Sequence, residues 1–153
     1  MIVHEEYILV RSWLKDISAS LGVELILDDE GLCSFQIGDD TVITIEVSDN
    51  FPIVQLYSTL LPLPTDNVEL MVMKMSKALE LNAFQAVTRG GAIATVPGGG
   101  LLIFCYNTPI EGFDSESFSK ILSSFFETVV EIKKLLSDSS DLPKQEQKNF
   151  FKV

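Results

Sequence analysis

The chain has 153 residues, 46% of them hydrophobic, and its 22 Asp+Glu against 11 Lys+Arg give a formal net charge of -11 at pH 7. That length and apolar fraction predict one folded domain and exclude a disordered chain. The longest apolar run, residues 101–106, falls far short of the roughly 20 residues a membrane span needs, while two cysteines and one histidine exclude a disulfide framework, His-rich metal sites and most histidine-based catalysis.

The first element reads as a helix. Val3, Tyr7, Val10, Leu14, Ile17 and Leu21 recur at spacings of three and four and share one face. Glu5 and Glu6 fall in the first turn, where the helix dipole favours acids, and Gly22 is placed to form the left-handed C-terminal cap. Ile8, Leu9 and Trp13 lie beside the stripe, so the helix is more apolar than one core face requires. His4 precedes it and is given no role. Two acids before the first base reverse the charge order of a secretory signal, so export by the common route is not expected.

Four segments of strand character follow: Val23–Leu27, Leu32–Ile37, Thr41–Val47 and Ile53–Leu61. The acidic sets at 28–31 and 38–40 read as hairpin connections, and Pro62 and Pro64 end the run. An antiparallel meander is predicted. No Lys or Arg occurs between Lys15 and Lys74, yet Asp16, Glu24, Asp28, Asp29, Glu30, Asp39, Asp40, Glu46, Asp49, Asp66 and Glu69 do. Such a region repels phosphate backbones, so nucleic acid is not an expected partner. It favours a basic or neutral polypeptide; solubility alone is the competing explanation.

A second helix is predicted from Asp66, with Asp66 and Glu69 at capping-box spacing. Val68, Met71, Val72, Met75 and Leu79 share one face, while Leu70, Met73, Leu81 and Phe84 lie elsewhere around the cylinder. A helix apolar on more than one side must be covered on more than one side. A sheet on one side and a second subunit on the other would do so; a central helix inside a monomer is the alternative. Ala92–Val96 and Leu101–Tyr106 flank Pro97, Gly98, Gly99 and Gly100 and read as a hairpin. The last helix follows Asp114, with Phe113 and Phe118 at staple spacing. Its stripe is Phe118, Ile121, Leu122, Phe125, Val129, Ile132 and Leu136, with Lys133 and Lys134 in the last turns. Residues 1–137 are expected to form a single α+β domain and residues 138–153 a polar, mobile C-terminal tail ending in a segment with Phe150 and Phe151.

No catalytic constellation emerges. The glycines at 90–91 and 98–100 lack both the GxGxxG spacing and a following Gly-Lys-Ser/Thr, so they read as turns. The acids at 28–30 and 39–40 lack the alternation and distal Glu of a calcium loop. Cys33 and Cys105 sit inside strand patterns and read as buried small hydrophobes. No enzyme, cofactor or metal site is expected; a small α+β enzyme would need a pocket with converging polar groups. What remains is apolar surface, including Met71, Met73 and Met75, a residue type that adapts to varied apolar contacts.

The order helix, antiparallel meander, helix, β-hairpin, helix resembles the class I type III secretion chaperones, the SycE and Tir-chaperone group. The best local match is ALELNAFQAVTRGGAIATVPGGGLLIFCY at residues 78–106, where a helix ends in Leu-Asn and a glycine-bearing linker leads to a hairpin with an aliphatic second strand. The opening YILVRSWLKDISASLG and the acidic turn LDDEG are similar to the family as well. The resemblance implies a dimeric chaperone of the bacterial cytoplasm. Such a protein binds the N-terminal segment of a secreted effector or secretion-control protein in extended form and keeps it export-competent, without ATP. It implies Leu9, Trp13, Leu25, Leu32, Phe35 and Ile37 as effector-binding residues, and Met71, Met75 and Leu79 as the dimer interface. Both a homodimer and a heterodimer with a related chaperone fit. The alternative is a protein-interaction domain of the same fold without a role in secretion.

Overall fold

The computed structural model describes residues 5–137. Helix α1 (Glu5–Leu21) is followed by strands β1 (Leu32–Ile37), β2 (Thr41–Val47) and β3 (Ile53–Pro62). Helices α2 (Val68–Asn82) and α3 (Gln85–Thr88) come next, then β4 (Ala92–Thr95), β5 (Leu101–Pro109) and α4 (Ser115–Ser137). The predicted tail and His4 lie outside the described residues.

The strands form one antiparallel sheet in the order β1-β2-β3-β5-β4. The predicted meander and hairpin thus join into a single sheet, with β3 paired to β5. Alternation sorts the two faces. Cys33, Ile45, Leu56 and Tyr106 stand in register on one face, as do Phe35, Ile43, Ser58 and Phe104. Helix α4 lies against that face at β2 and β3 and meets α1 beside it. Val10, Trp13, Leu14 and Ile17 of α1 and Phe118, Phe125, Val129 and Ile132 of α4 complete the core. The other face carries Leu32, Val42, Glu46, Tyr57, Ile103 and Cys105, and none of these is buried.

Local chemistry explains the element ends. Gly22 adopts φ 69° and its N–H reaches the Ser18 carbonyl at 2.9 Å, closing α1 as expected. Asp114 accepts from the Ser117 N–H at 2.8 Å and opens α4; those hydrogen bonds hold its carboxyl below the usual range. Phe113 packs partly buried against the core that contains Phe118, as a staple requires. Helix α2 is capped by Asn67, whose Oδ1 accepts from the Leu70 N–H at 3.1 Å, rather than by Asp66. Phe84 lies beyond α2 and starts α3 instead.

Two expectations need correction. Val23–Leu27 forms no ladder. Its strand character comes from aliphatic residues of which only Leu25 and Leu27 are buried, while Val23 and Ile26 face out, and the Leu25 N–H is taken by Ser18 Oγ at 2.8 Å. Cys105 is half-buried rather than enclosed, because it stands on the sheet face that no core covers; Cys33 is buried as expected.

Asn82 ties the two halves of the fold together. Its Oδ1 accepts from the Ile93 N–H at 2.7 Å and its Nδ2 donates to the Ile93 carbonyl at 2.9 Å. The side chain acts as a short strand partner on the outer edge of β4. Gly91 precedes that strand because a Cβ there would lie 2.3 Å from the Phe104 ring.

Candidate partner-binding surface

Three apolar features of the described residues remain uncovered. The first is an open groove of about 640 Å³ between α1 and the segment at 23–27. Ile8, Arg11, Ser12, Lys15 and Ser18 form its helical wall, and Glu24, Leu25 and Ile26 form the other. Tyr7 holds the far end by donating its hydroxyl to the Asp28 carbonyl at 2.9 Å. Ile8 is 57% and Ile26 59% exposed, although large apolar side chains usually seek cover. Leu9 is exposed on the same helix.

The second feature is the open face of the sheet. Tyr57 stands opposite Cys105 in the β3–β5 register, and Leu32 stands opposite Glu46 in the β1–β2 register. Burial pushes the Tyr57 phenol up from its ordinary value, and Glu46 and Cys105 add to the rise. Burial also raises the Cys105 thiol. Cys33 is raised by burial against a weaker opposing hydrogen bond to the Ile26 backbone. Both thiols are therefore held protonated, the opposite of an activated nucleophile.

The third feature is a stripe on α2. Val68, Val72, Met75 and Leu79 follow one another at spacings of four, three and four, and all are exposed, Leu79 at 70%. Ala78 and Leu81 face the core about a quarter turn or more away, where Met71 packs with them partly buried.

The expected residues divide among these features. Leu9 is available on α1. Trp13 and Leu25, expected at a partner surface, are 4% and 3% exposed and belong to the core. The reason for Trp13 is that α4 brings Phe118 against it, with ring centroids 5.4 Å apart. Phe35 and Ile37 are half-buried at the margin of the core on the edge strand β1, whereas Leu32 points to the opposite sheet face. The six residues do not make one patch. Met75 and Leu79 are exposed together on α2, but Met71 turns toward its own core. Ile8, Arg11, Lys15 and Ile26 were absent from the expected set. The signal for Ile8 was its position beside the α1 stripe.

The acidic excess is not one continuous surface either. Asp28, Asp29, Glu30 and Asp49 lie in connections at one end of the β1–β2 pair, while Asp39 and Asp40 form the turn at the other. Asp28 Oδ1 accepts from the Glu30 and Leu32 N–H groups, so it shapes its turn. Asp40 meets Lys133, whose Nζ also donates to the Asp40 carbonyl at 3.0 Å. Among the described residues no three His, Cys, Asp or Glu side chains converge to hold a metal. A cavity of about 60 Å³ bounded by Thr88, Tyr106 and Thr128 is too small for a metabolite. No helix among the described residues is long and apolar enough to cross a membrane.

Comparison with known proteins gives the same fold. The profile of the Tir chaperone protein (CesT) family matches residues 12–133. The HopA1-SchA chaperone-effector complex contains a similar chain, with 18% identity and a TM-score of 0.65 over 87% of this chain and 99% of that one. The ExsC-ExsE complex does too, at 15% identity and a TM-score of 0.69 over 86% and 96%. YbjN from E. coli is also similar, at 16% identity and a TM-score of 0.53 over 83% and 85%. At these identities the structures establish fold alone. Curated protein sequences gave no match.

Proposed function

The chain belongs to the Tir chaperone protein (CesT) family, and on that premise we propose that it is a type III secretion chaperone. It binds the N-terminal segment of a secreted effector or secretion-control protein in extended form and keeps that segment competent for export. The observation that carries this reading is the pairing of a formed core with uncovered apolar side chains on α1, the segment at 23–27 and the α2 stripe. A folded domain gains little by exposing such residues unless another polypeptide covers them. An extended ligand loses much backbone freedom on binding, so several apolar anchors and free backbone edges are needed to hold it.

Leu9, Leu32, Phe35 and Ile37 contact the ligand in this reading, joined by Ile8 and Ile26. Trp13 and Leu25 support that surface from beneath. The α2 stripe, with Met75 and Leu79 in its C-terminal half, pairs two subunits, either identical or related. The protein works in the bacterial cytoplasm as a binder rather than an enzyme, needs no cofactor, and takes a polypeptide rather than nucleic acid as its ligand.

Co-expression with N-terminal segments of the bacterium's own secreted proteins tests the reading. A segment that co-purifies and stays sensitive to protease outside the contact region supports it; segments that all fail to co-purify overturn it. The similarity to YbjN, a putative transcription regulator from E. coli, favours a second reading, an interaction domain of the same fold without a role in secretion. Recovery of a non-secreted protein as the specific ligand would favour that one.

A further inference from the structure

The groove between α1 and the segment at 23–27 differs in charge from the chain around it. Arg11 and Lys15 are the only Arg or Lys in the first 73 residues, and both line this groove. Neither forms an ion pair or hydrogen bond among the described residues. Glu24 stands on the facing wall next to Ile26. We propose that Arg11 and Lys15 set the specificity of the groove for an extended polypeptide with acidic side chains at alternate positions and apolar ones between. This rests on the proposed function and adds the chemistry of the segment recognised.

The spacing supports the assignment. Arg11 and Lys15 are one helical turn apart, a rise of about 6 Å. Side chains two residues apart on an extended strand are separated by about 6.6 Å and point the same way. Two acids at positions i and i+2 of an extended ligand therefore meet both cations at once. The residues between them point to the other wall, where Ile26 offers apolar contact and Glu24 disfavours a second row of acids. From Ile8 to Ser18 the helical wall runs about 15 Å, the length of four or five extended residues.

Charge complementarity also has a task here. The rest of the region up to Lys74 repels acidic segments, so a ligand with acids at this spacing is held in one register along the groove. A wholly basic segment is drawn instead to the acidic turns and repelled from the groove.

Three fluorescein-labelled peptides of roughly eight residues test the proposal, alternating leucine with aspartate, serine or lysine. Fluorescence polarisation at low salt is expected to rank them aspartate, serine, lysine. Exposed or partly desolvated pairs are worth modest energies each, so the step from aspartate to serine is expected to be about 5- to 10-fold. The double variant R11E/K15E is expected to invert the ranking while its circular dichroism is unchanged. Equal affinity for the three peptides in the wild type overturns the charge assignment; loss of all binding in I8D/I26D would then show that the groove still docks a ligand. If no peptide binds and I8D/I26D retains a co-expressed effector segment, the groove is not the docking site, and the proposed function survives with its ligand elsewhere.

Discussion

Asn82→Ala is the most informative single perturbation of the fold. The substitution removes the acceptor at 2.7 Å and the donor at 2.9 Å that Asn82 presents to Ile93. An unpaired buried amide or carbonyl costs about 1–3 kcal/mol. This site is only partly buried and water recovers part of that, so about 1 kcal/mol per bond, or about 2 kcal/mol in all, is the expected loss. For a domain of this size that lowers Tm by roughly 7 °C. Asn82→Asp separates the two bonds. It keeps the acceptor for the Ile93 N–H but sets a second carboxylate oxygen against the Ile93 carbonyl. Its loss is expected to shrink as pH falls through the carboxylate range, when the protonated oxygen can donate. The assay is thermal unfolding at fixed protein concentration, because self-association makes Tm depend on it. A Tm for Asn82→Ala within about 1 °C of wild type would refute the reasoning.

Further outcomes follow from the same contacts. Trp13→Ala empties a core position against Phe118 and is expected to cost about 3–5 kcal/mol in urea unfolding, whereas Leu9→Asp keeps the wild-type circular dichroism and loses ligand binding; wild-type affinity for Leu9→Asp would count against its role. Leu79→Glu and Met75→Glu place charges in the α2 stripe and are expected to halve the mass measured by light scattering, and an unchanged mass would remove that stripe as the subunit interface. Burial raises both thiols, so each is expected to alkylate more slowly at pH 8 than a free cysteine, Cys105 before the more enclosed Cys33. For the same groups the sign of linkage is fixed. Their stabilising contribution is whole below the ordinary thiol pKa and is lost as pH rises through the raised folded values, so stability measured by denaturant is expected to fall in alkaline solution.

Much of this architecture was legible because burial on one side leaves a period in the chain. Thr41–Val47 alternates since β2 lies mid-sheet with one face on the core, and the α4 stripe survives because the helix rests on β2 and β3. Val23–Leu27 carried no such period. Its aliphatic residues read as a strand, yet only Leu25 and Leu27 are buried and the segment pairs with no strand. Trp13 was misplaced for a related reason: α1 alone shows only a wide apolar arc, and the ring of Phe118 arrives from more than 100 residues away. Asn82 appeared only as part of a Leu-Asn ending. Its role needs the bend through α3 that returns Ile93 to it. The groove cations were visible only as an odd location, the last bases before a long acidic region, and their wall was hidden until the segment at 23–27 folded beside them.

Native mass spectrometry of the protein co-expressed with the N-terminal segment of a secreted protein reaches the main assertion most directly. The expected species contains two copies of this fold with the segment bound and extended. A lone subunit with no segment, at concentrations where both are abundant, would contradict it.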